Sequence, residues 1–155
     1  MSQPTLERFY SAFKTLDGEA MQACYAAAAR FDDEAFSLQG RDEIGAMWRM
    51  LCEAVKSKGR DDWSLEFSTT ANTAHWEPRY RFSATGRLVH NIIDAEFSFD
   101  ASGLILTHRD RFVFWRWSRQ ALGAPGLLLG WSGFLRSKVR AQAAKGLAIY
   151  RKRKV

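Results

Sequence analysis

His108 and Asp110 stand two residues apart in LTHRDRF. On an extended strand, positions i and i+2 project from one face. An imidazole and a carboxylate placed that way can share a hydrogen bond, which orients the ring and tunes its pKa. The preceding segment, LVHNIIDAEFSFD, puts Asn91 in phase with Val89, Ile93, Ala95, Phe97 and Phe99. Three polar groups on an apolar wall look more like the lining of a pocket than like a core. Further upstream, Phe31-Asp32-Asp33-Glu34 sets three acids beside an aromatic ring. A short strand there turns Asp33 to one face and Asp32 and Glu34 to the other. A carboxyl group held in an apolar pocket has its pKa raised and becomes a usable base near neutral pH. Tyr10 can reach inward, where its hydroxyl needs a partner. The chemistry these residues point to is acid–base catalysis. Asp33 and Asp110 are the candidate acid and base; His108, Tyr10 and Asn91 would orient a substrate or stabilise developing negative charge.

The elements that must carry them follow from periodicity. Leu6, Phe9, Tyr10 and Phe13 recur at helical spacing and predict a helix over 4–16. Asp17 can cap a second helix over about 18–28, with Met21, Cys24, Tyr25 and Ala28 inside. Ile44, Met47, Trp48, Leu51 and Val55 predict a third helix over about 41–57. Three or four antiparallel strands occupy 63–117. Pro78 removes a ladder donor, which places it at a bulge or on a free edge. The central hairpin is two long strands from Thr85 to Trp117, turning at Asp100-Ala101-Ser102-Gly103. Val89 to Phe99 form the inward set on one strand, and Leu104, Leu106, His108, Asp110, Phe112 and Phe114 that on the other. His75 and His90 fall on the charged faces. SRQALGAPGLLLGWSGFL reads as a wrapping segment or a short helix. Arg136 to Arg153 reads as a basic amphipathic helix striped by Leu135, Val139, Ala143, Gly146 and Tyr150.

Composition sets the limits. The 155 residues are 46% hydrophobic, which fits a globular chain. No apolar run is long enough to span a bilayer, and MSQPTLERFY lacks the apolar stretch of a secretory signal. Cys24 and Cys52 have no metal-ligand spacing and read as reduced, buried thiols in helices, which fits a cytoplasmic protein. The net charge of +6 is unevenly spread. Residues 1–110 carry 12 Lys/Arg against 17 Asp/Glu, whereas residues 111–155 carry 11 Lys/Arg and no acid. The basic character therefore belongs to the C-terminal segment.

Helices, a hooked acidic strand, another helix and then a curved sheet resemble the nuclear transport factor 2-like superfamily. The resemblance rests on FYSAFKTLDGEAMQACY, FDDE, GRDEI and FDASGLILTHRDRF, and covers about residues 4–117. It implies an α+β cone: a curved antiparallel sheet wrapped on N-terminal helices around an apolar pocket, often in a homodimer. Here the cone would carry a basic C-terminal helical tail, with 1–117 as the domain and 118–155 packed on it. Compared with the ketosteroid isomerases, Tyr10 falls on their oxyanion-hole tyrosine and Asp33 on their proton-shuttling base. Their second oxyanion donor falls on Ala95, and one such donor is worth about 3–4 kcal/mol. Compared with the limonene-epoxide hydrolases, Asp110 matches one carboxylate of their trio. The other two members fall on Trp76 and Pro78. The SnoaL-like cyclases use an inward aspartate with nearby histidine help, which matches Asp110 and His108.

Two functional classes follow. One is a pocket protein, an isomerase, cyclase or hydrolase for a small apolar oxygenated ligand. Its pocket would be lined by Trp48, Trp76, Tyr80, Asn91, His108, Asp110 and Phe112, with no metal and no cofactor. The other is a binding or assembly module that works through the basic segment. Trp115, Trp117, Trp131 and Phe134 interleave with its cations and could meet an anionic membrane surface at its periphery. Nucleic acid fits less well, because the sheet aromatics turn into the pocket.

Overall fold

The computed structural model describes residues 3–130 and 132–153. Three helices, α1 (Gln3–Lys14), α2 (Gly18–Gln22) and α3 (Arg41–Lys58), accompany seven strands. These are β1 (Tyr25–Asp32), β2 (Ser37–Gln39), β3 (Ser64–Thr69), β4 (Thr73–Arg81), β5 (Leu88–His90), β6 (Ile93–Phe99) and β7 (Ile105–Arg111). Three more helices follow: α4 (Phe114–Leu122), α5 (Ala124–Leu129) and α6 (Gly133–Arg153). The strands form one curved, unclosed sheet in the order β2-β1-β7-β6-β4-β3, with β5 also paired to β4. It is a mixed sheet, not the expected antiparallel one, because β1 runs parallel to β7.

Leu6, Phe9, Tyr10 and Phe13 of α1 are all buried, as their spacing requires. Thr5 Oγ1 donates to the Gly103 carbonyl at 2.7 Å and ties α1 to the hairpin turn. Asp17 caps α2, its Oδ1 accepting from the Ala20 amide at 3.1 Å. The second helix stops at Gln22, well short of residue 28. The Ala-rich run that favours helix is strand β1 instead, because pairing with β7 and β2 overrides intrinsic propensity. Cys24 therefore lies between elements, while Cys52 is helical. Both are buried, and burial pushes both thiols up, Cys52 to about 12.

The hairpin departs from simple alternation twice. Pairs Ser98↔Thr107 and Phe99↔Ile105 leave Leu106 as an extra residue on β7. The bulge turns Ile105 inward and Leu106 outward, so the expected inward set shifts phase before His108. The second break separates β5 from β6. Trp76↔Ile93 and Arg79↔His90 keep one register, in which Pro78 faces Asn91. The Asn91 amide donates to the Pro78 carbonyl at 3.1 Å, but Pro78 has no N–H to return. Pro78 thus interrupts the ladder inside a buried strand, and sits at neither a bulge nor a free edge. The second long strand also ends early: 114–117 is helical, not extended.

Two apolar clusters result. The larger lies between α1–α3 and the sheet; the smaller gathers Val89, Phe114, Trp117, Ala121 and Leu135, and Phe112 touches both. Helix α6 buries Leu135 and Leu147, with Val139, Ala143 and Tyr150 half-buried. Leu147 takes the place expected of Gly146, which is exposed. Arg151 pairs with Glu43 at 3.2 Å, Arg136 with Glu34 at 3.6 Å, and the Tyr150 hydroxyl donates to Glu53.

Helices α2 and α3 meet at Gly18, where a Cβ would lie 2.7 Å from Arg49 Cα. That neighbour is backbone and cannot swing aside. Gly18→Ala should lower stability by about 1–3 kcal/mol in urea unfolding. Gly146→Ala, with open space around the new Cβ on α6, should raise stability by up to about 1 kcal/mol.

Candidate active site

Strand β7 carries His108 and Asp110 on its inner face, and the two meet there. His108 Nε2 lies 2.8 Å from Asp110 Oδ1, with His108 1% exposed. The Tyr25 hydroxyl lies 2.8 Å from His108 Nδ1, and Trp48 Nε1 donates to that hydroxyl at 2.9 Å. Trp76 Nε1 donates to Asp110 Oδ1 at 3.3 Å. One proton pattern serves the whole chain. An indole N–H only donates, so the Tyr25 oxygen accepts from Trp48, and its own hydrogen can then go to Nδ1. Nδ1 is then an acceptor, which leaves the hydrogen on Nε2 to be donated to Asp110. A neutral His108 in this tautomer satisfies every member of the chain. Phe31 and Phe97 close on the imidazole at 4.8 and 4.2 Å between ring centroids.

Asp33 follows β1 in a tight turn. Its Oδ1 accepts from the amides of Ala35 at 2.7 Å and Phe36 at 2.6 Å. Among the described residues nothing donates to Oδ2. Arg140 of α6 clamps the turn from outside, donating from Nη1 to the carbonyls of Asp33 and Glu34 at 3.1 Å each. Burial, and then the charge of Asp110, push the Asp33 carboxyl up to about 7. The Phe36 and Ala35 amides and Arg140 offset only part of that rise. Tyr80 is raised to about 12, chiefly by burial, with the Asp33 charge adding; its hydroxyl accepts from Trp117 Nε1 at 2.9 Å. Asp33, Tyr80 and Phe112 nevertheless keep part of their surface accessible.

Asn91 is buried at the break made by Pro78. Its Oδ1 accepts from the Ile92 amide at 3.1 Å, which fixes the flip and leaves Nδ2 with no acceptor among the described residues. Tyr10 is fully buried, and its hydroxyl also lacks a partner there. Burial, and then Asp110, hold its pKa well above the usual tyrosine value.

The structure thus brings Asp33 within electrostatic reach of both Asp110 and Tyr80, and Tyr10 within reach of Asp110. Trp48 and Trp76 are packed in the core with their N–H groups engaged. Asp32 turns outward to Arg30 and Ser37. His75 and His90 sit on the outer face, joined to Glu77, with His75 also bonded to Asp94. Two depressions of about 280 Å³ lie elsewhere, one at Gln39–Glu43 and Arg151, the other on the outer sheet near His75. No group of three or more His, Cys, Asp or Glu among the described residues could hold a metal. Tyr25, Arg140 and Trp117 are the partners that sequence reasoning missed. Period-two spacing of Tyr25, Ala29 and Phe31 was the available signal for Tyr25; nothing local marks Arg140.

Comparison with known proteins agrees with this architecture. Residues 6–108 match the SnoaL-like domain family. A candidate polyketide cyclase from Silicibacter sp. TM1040 superposes with a TM-score of 0.61 at 18% identity, covering 77% of this chain and 94% of that one. A nuclear transport factor 2-like protein of unknown function from Burkholderia pseudomallei gives 0.59 at 17%, covering 78% and 97%. A ketosteroid isomerase-like protein from Erwinia carotovora gives 0.53 at 17%, covering 72% and 93%. No curated protein matches the chain. At these identities the structural likeness speaks for the fold alone, whereas the domain match covers most of the chain: it belongs to the SnoaL-like family, within the nuclear transport factor 2-like superfamily.

Proposed function

We propose that the chain binds a small apolar compound bearing an oxygen function and moves a proton on it, with Asp33 as the base. The observation that carries this reading is the Asp33 carboxyl, raised to about 7, with Oδ1 held by two amides and Oδ2 left free. A base works best when its pKa lies near the ambient pH. Oδ2 would take a proton from a carbon beside a carbonyl, and the electron pair would move onto the carbonyl oxygen. Asn91 Nδ2 would donate to that oxygen; the Tyr10 hydroxyl, fully buried, would join only where ligand entry uncovers it. Returning the proton to another carbon would complete an isomerisation, and attack by the enolate carbon on a second carbonyl would complete a cyclisation. Asp110 is pinned by His108 and Trp76, and acts as a fixed charge that keeps Asp33 basic. Polyketide cyclases and ketosteroid isomerase-like proteins among the fold's relatives are in keeping with this chemistry.

Deuterium exchange into a panel of enolisable cyclic ketones, followed by NMR in D₂O, tests the base directly. Exchange should rise through pH 7 and vanish in Asp33→Asn. No exchange with any ketone, or exchange that Asp33→Asn leaves intact, would refute the proposal.

Stability carries a second signature. The folded Asp33 holds its proton more tightly than the unfolded chain does, so between the ordinary carboxylate range and pH 7 folding takes up a proton. Stability from this group therefore falls as pH rises through that window. Asp33→Asn keeps the Oδ1 acceptor and removes the charge. It should be near neutral at pH 4 and stabilising by about 2–4 kcal/mol at pH 8. Tyr25→Phe strips the hydroxyl between Trp48 and His108 and leaves two buried groups unpartnered. A loss of about 2–4 kcal/mol in chemical denaturation is expected.

A further inference from the structure

The segment after residue 108 lies beyond the family match, and the structural relatives span nearly their whole length while covering 77–78% of this chain. It is built inside out. Helix α5 packs with its glycines: a Cβ at Gly126 would fall 1.9 Å from the Ser118 carbonyl oxygen, and one at Gly130 2.2 Å from Ser118 Oγ. Trp115 Nε1 donates to the Leu127 carbonyl at 3.2 Å and locks the turn in place. The small face is thereby pressed against α4 and the large apolar face is turned to solvent. Leu127 is 53% exposed, Leu129 42% and Phe134, opening α6, 71%.

On α6, cations share the side that bears Phe134. Phe134, Lys138, Lys145 and Lys152 recur at i, i+4, i+11 and i+18, within about 40° of one another around α6. All four are exposed, and none of the three lysines forms a salt bridge with a described residue. They lie opposite Val139, Ala143 and Tyr150, which pack inward. Arg119 stacks over the Trp115 ring at 4.6 Å beside the knuckle.

From this arrangement we infer that the α5–α6 surface docks on an anionic lipid bilayer. Leu127, Leu129 and Phe134 would enter the acyl boundary, and the lysine row of α6 would lie over phosphate-bearing headgroups. Charge complementarity selects this occupant. Residues 111–155 carry 11 cations and no acid, so a second copy of the same surface would be repelled. Aliphatic side chains gain nothing from a nucleic-acid backbone, whereas a bilayer offers both a negative surface and hydrocarbon. No described helix is long and apolar enough to cross a membrane, so the contact is peripheral.

Flotation with vesicles tests the docking on the intact chain. The protein should float with phosphatidylcholine–phosphatidylserine vesicles, not with phosphatidylcholine alone, and salt should weaken the binding. Leu127→Ser with Phe134→Ser, and separately Lys138→Glu with Lys145→Glu, should each lower partitioning about tenfold or more. All four side chains are exposed, so far-UV circular dichroism and melting temperature should not change. Absence of binding to the anionic vesicles overturns the inference. So does unchanged binding by the serine pair, which would mean simple charge adsorption. Tighter binding to duplex DNA than to vesicles, or self-association that the serine pair abolishes, would assign the surface to a different partner. Neither pair touches Asp33, so deuterium exchange remains an independent readout.

Discussion

The hydrogen-bonded chain from Trp48 through Tyr25, His108 and Asp110 to Trp76 holds α3, β1, β7 and β4 in one arrangement. Its members are buried, so each lost bond leaves a polar group without water, at a cost of about 1–3 kcal/mol. A slip of β7 by one residue would turn His108 outward and bring Arg109 into the aromatic cage. The parallel pairing of β1 with β7 is fixed the same way, since Tyr25 must arrive opposite the imidazole edge. The chain also adds to the site's electrostatics. Burial is the main cause that raises Asp33, Tyr10 and Tyr25, and the charge of Asp110, which receives N–H groups from His108 and Trp76, adds to the rise of all three.

Irregularities in the sheet put the remaining groups in place. Pro78 withholds one ladder hydrogen and so parts β5 from β6 at Asn91. Asn91 then spends its oxygen on the next amide and keeps its N–H₂ free. The Leu106 bulge corrects the phase of β7, so that Ile105, His108 and Asp110 all face inward. On β1, the pairing to β7 shifts by three residues between Tyr25 and Arg30. Gln39 covers the opening, its Nε2 donating to the Ala28 carbonyl at 3.1 Å. A regular sheet would have carried the same residues on a flat wall; these defects turn the wall into a site.

Side-chain periodicity made much of this legible. The α1 stripe and the Asn91–Phe97 face are set by spacing alone and are inward; in the α3 stripe Ile44, Met47 and Trp48 are inward, but Leu51 is exposed and Cys52 holds the buried place beside it. The adjacency of His108 and Asp110 follows from period two once β7 is recognised. Periodicity cannot see pairing partners. AAAARF reads as helix because alanine favours it, and only β7 lying alongside makes it strand. Leu106 looked inward because a bulge has no signature in a single strand. Helical spacing carries Tyr25 onto α2 with Met21, away from His108, and only the pairing of β1 with β7 joins the two. For Asp33 the sequence gives the neighbourhood but not its Asx turn or the Arg140 clamp, which comes from 107 residues away.

That clamp changes how the site should be viewed. Residues 6–108 match the family, yet the turn that orients Asp33 is closed by Arg140, on a helix outside the match. Arg140 binds the backbone carbonyls and makes no hydrogen bond to the carboxylate, so its charge offsets only part of the rise in the Asp33 pKa. A guanidinium placed on Oδ2 would have neutralised the base and brought its pKa back down. Placed on the carbonyls, it fixes the turn while burial and Asp110 keep control of the proton. The same helix turns Val139 toward the second cluster and Ala143 toward the main core, so the turn is secured by apolar packing as well as by charge. In this chain helix α6 is therefore part of what shapes the candidate site.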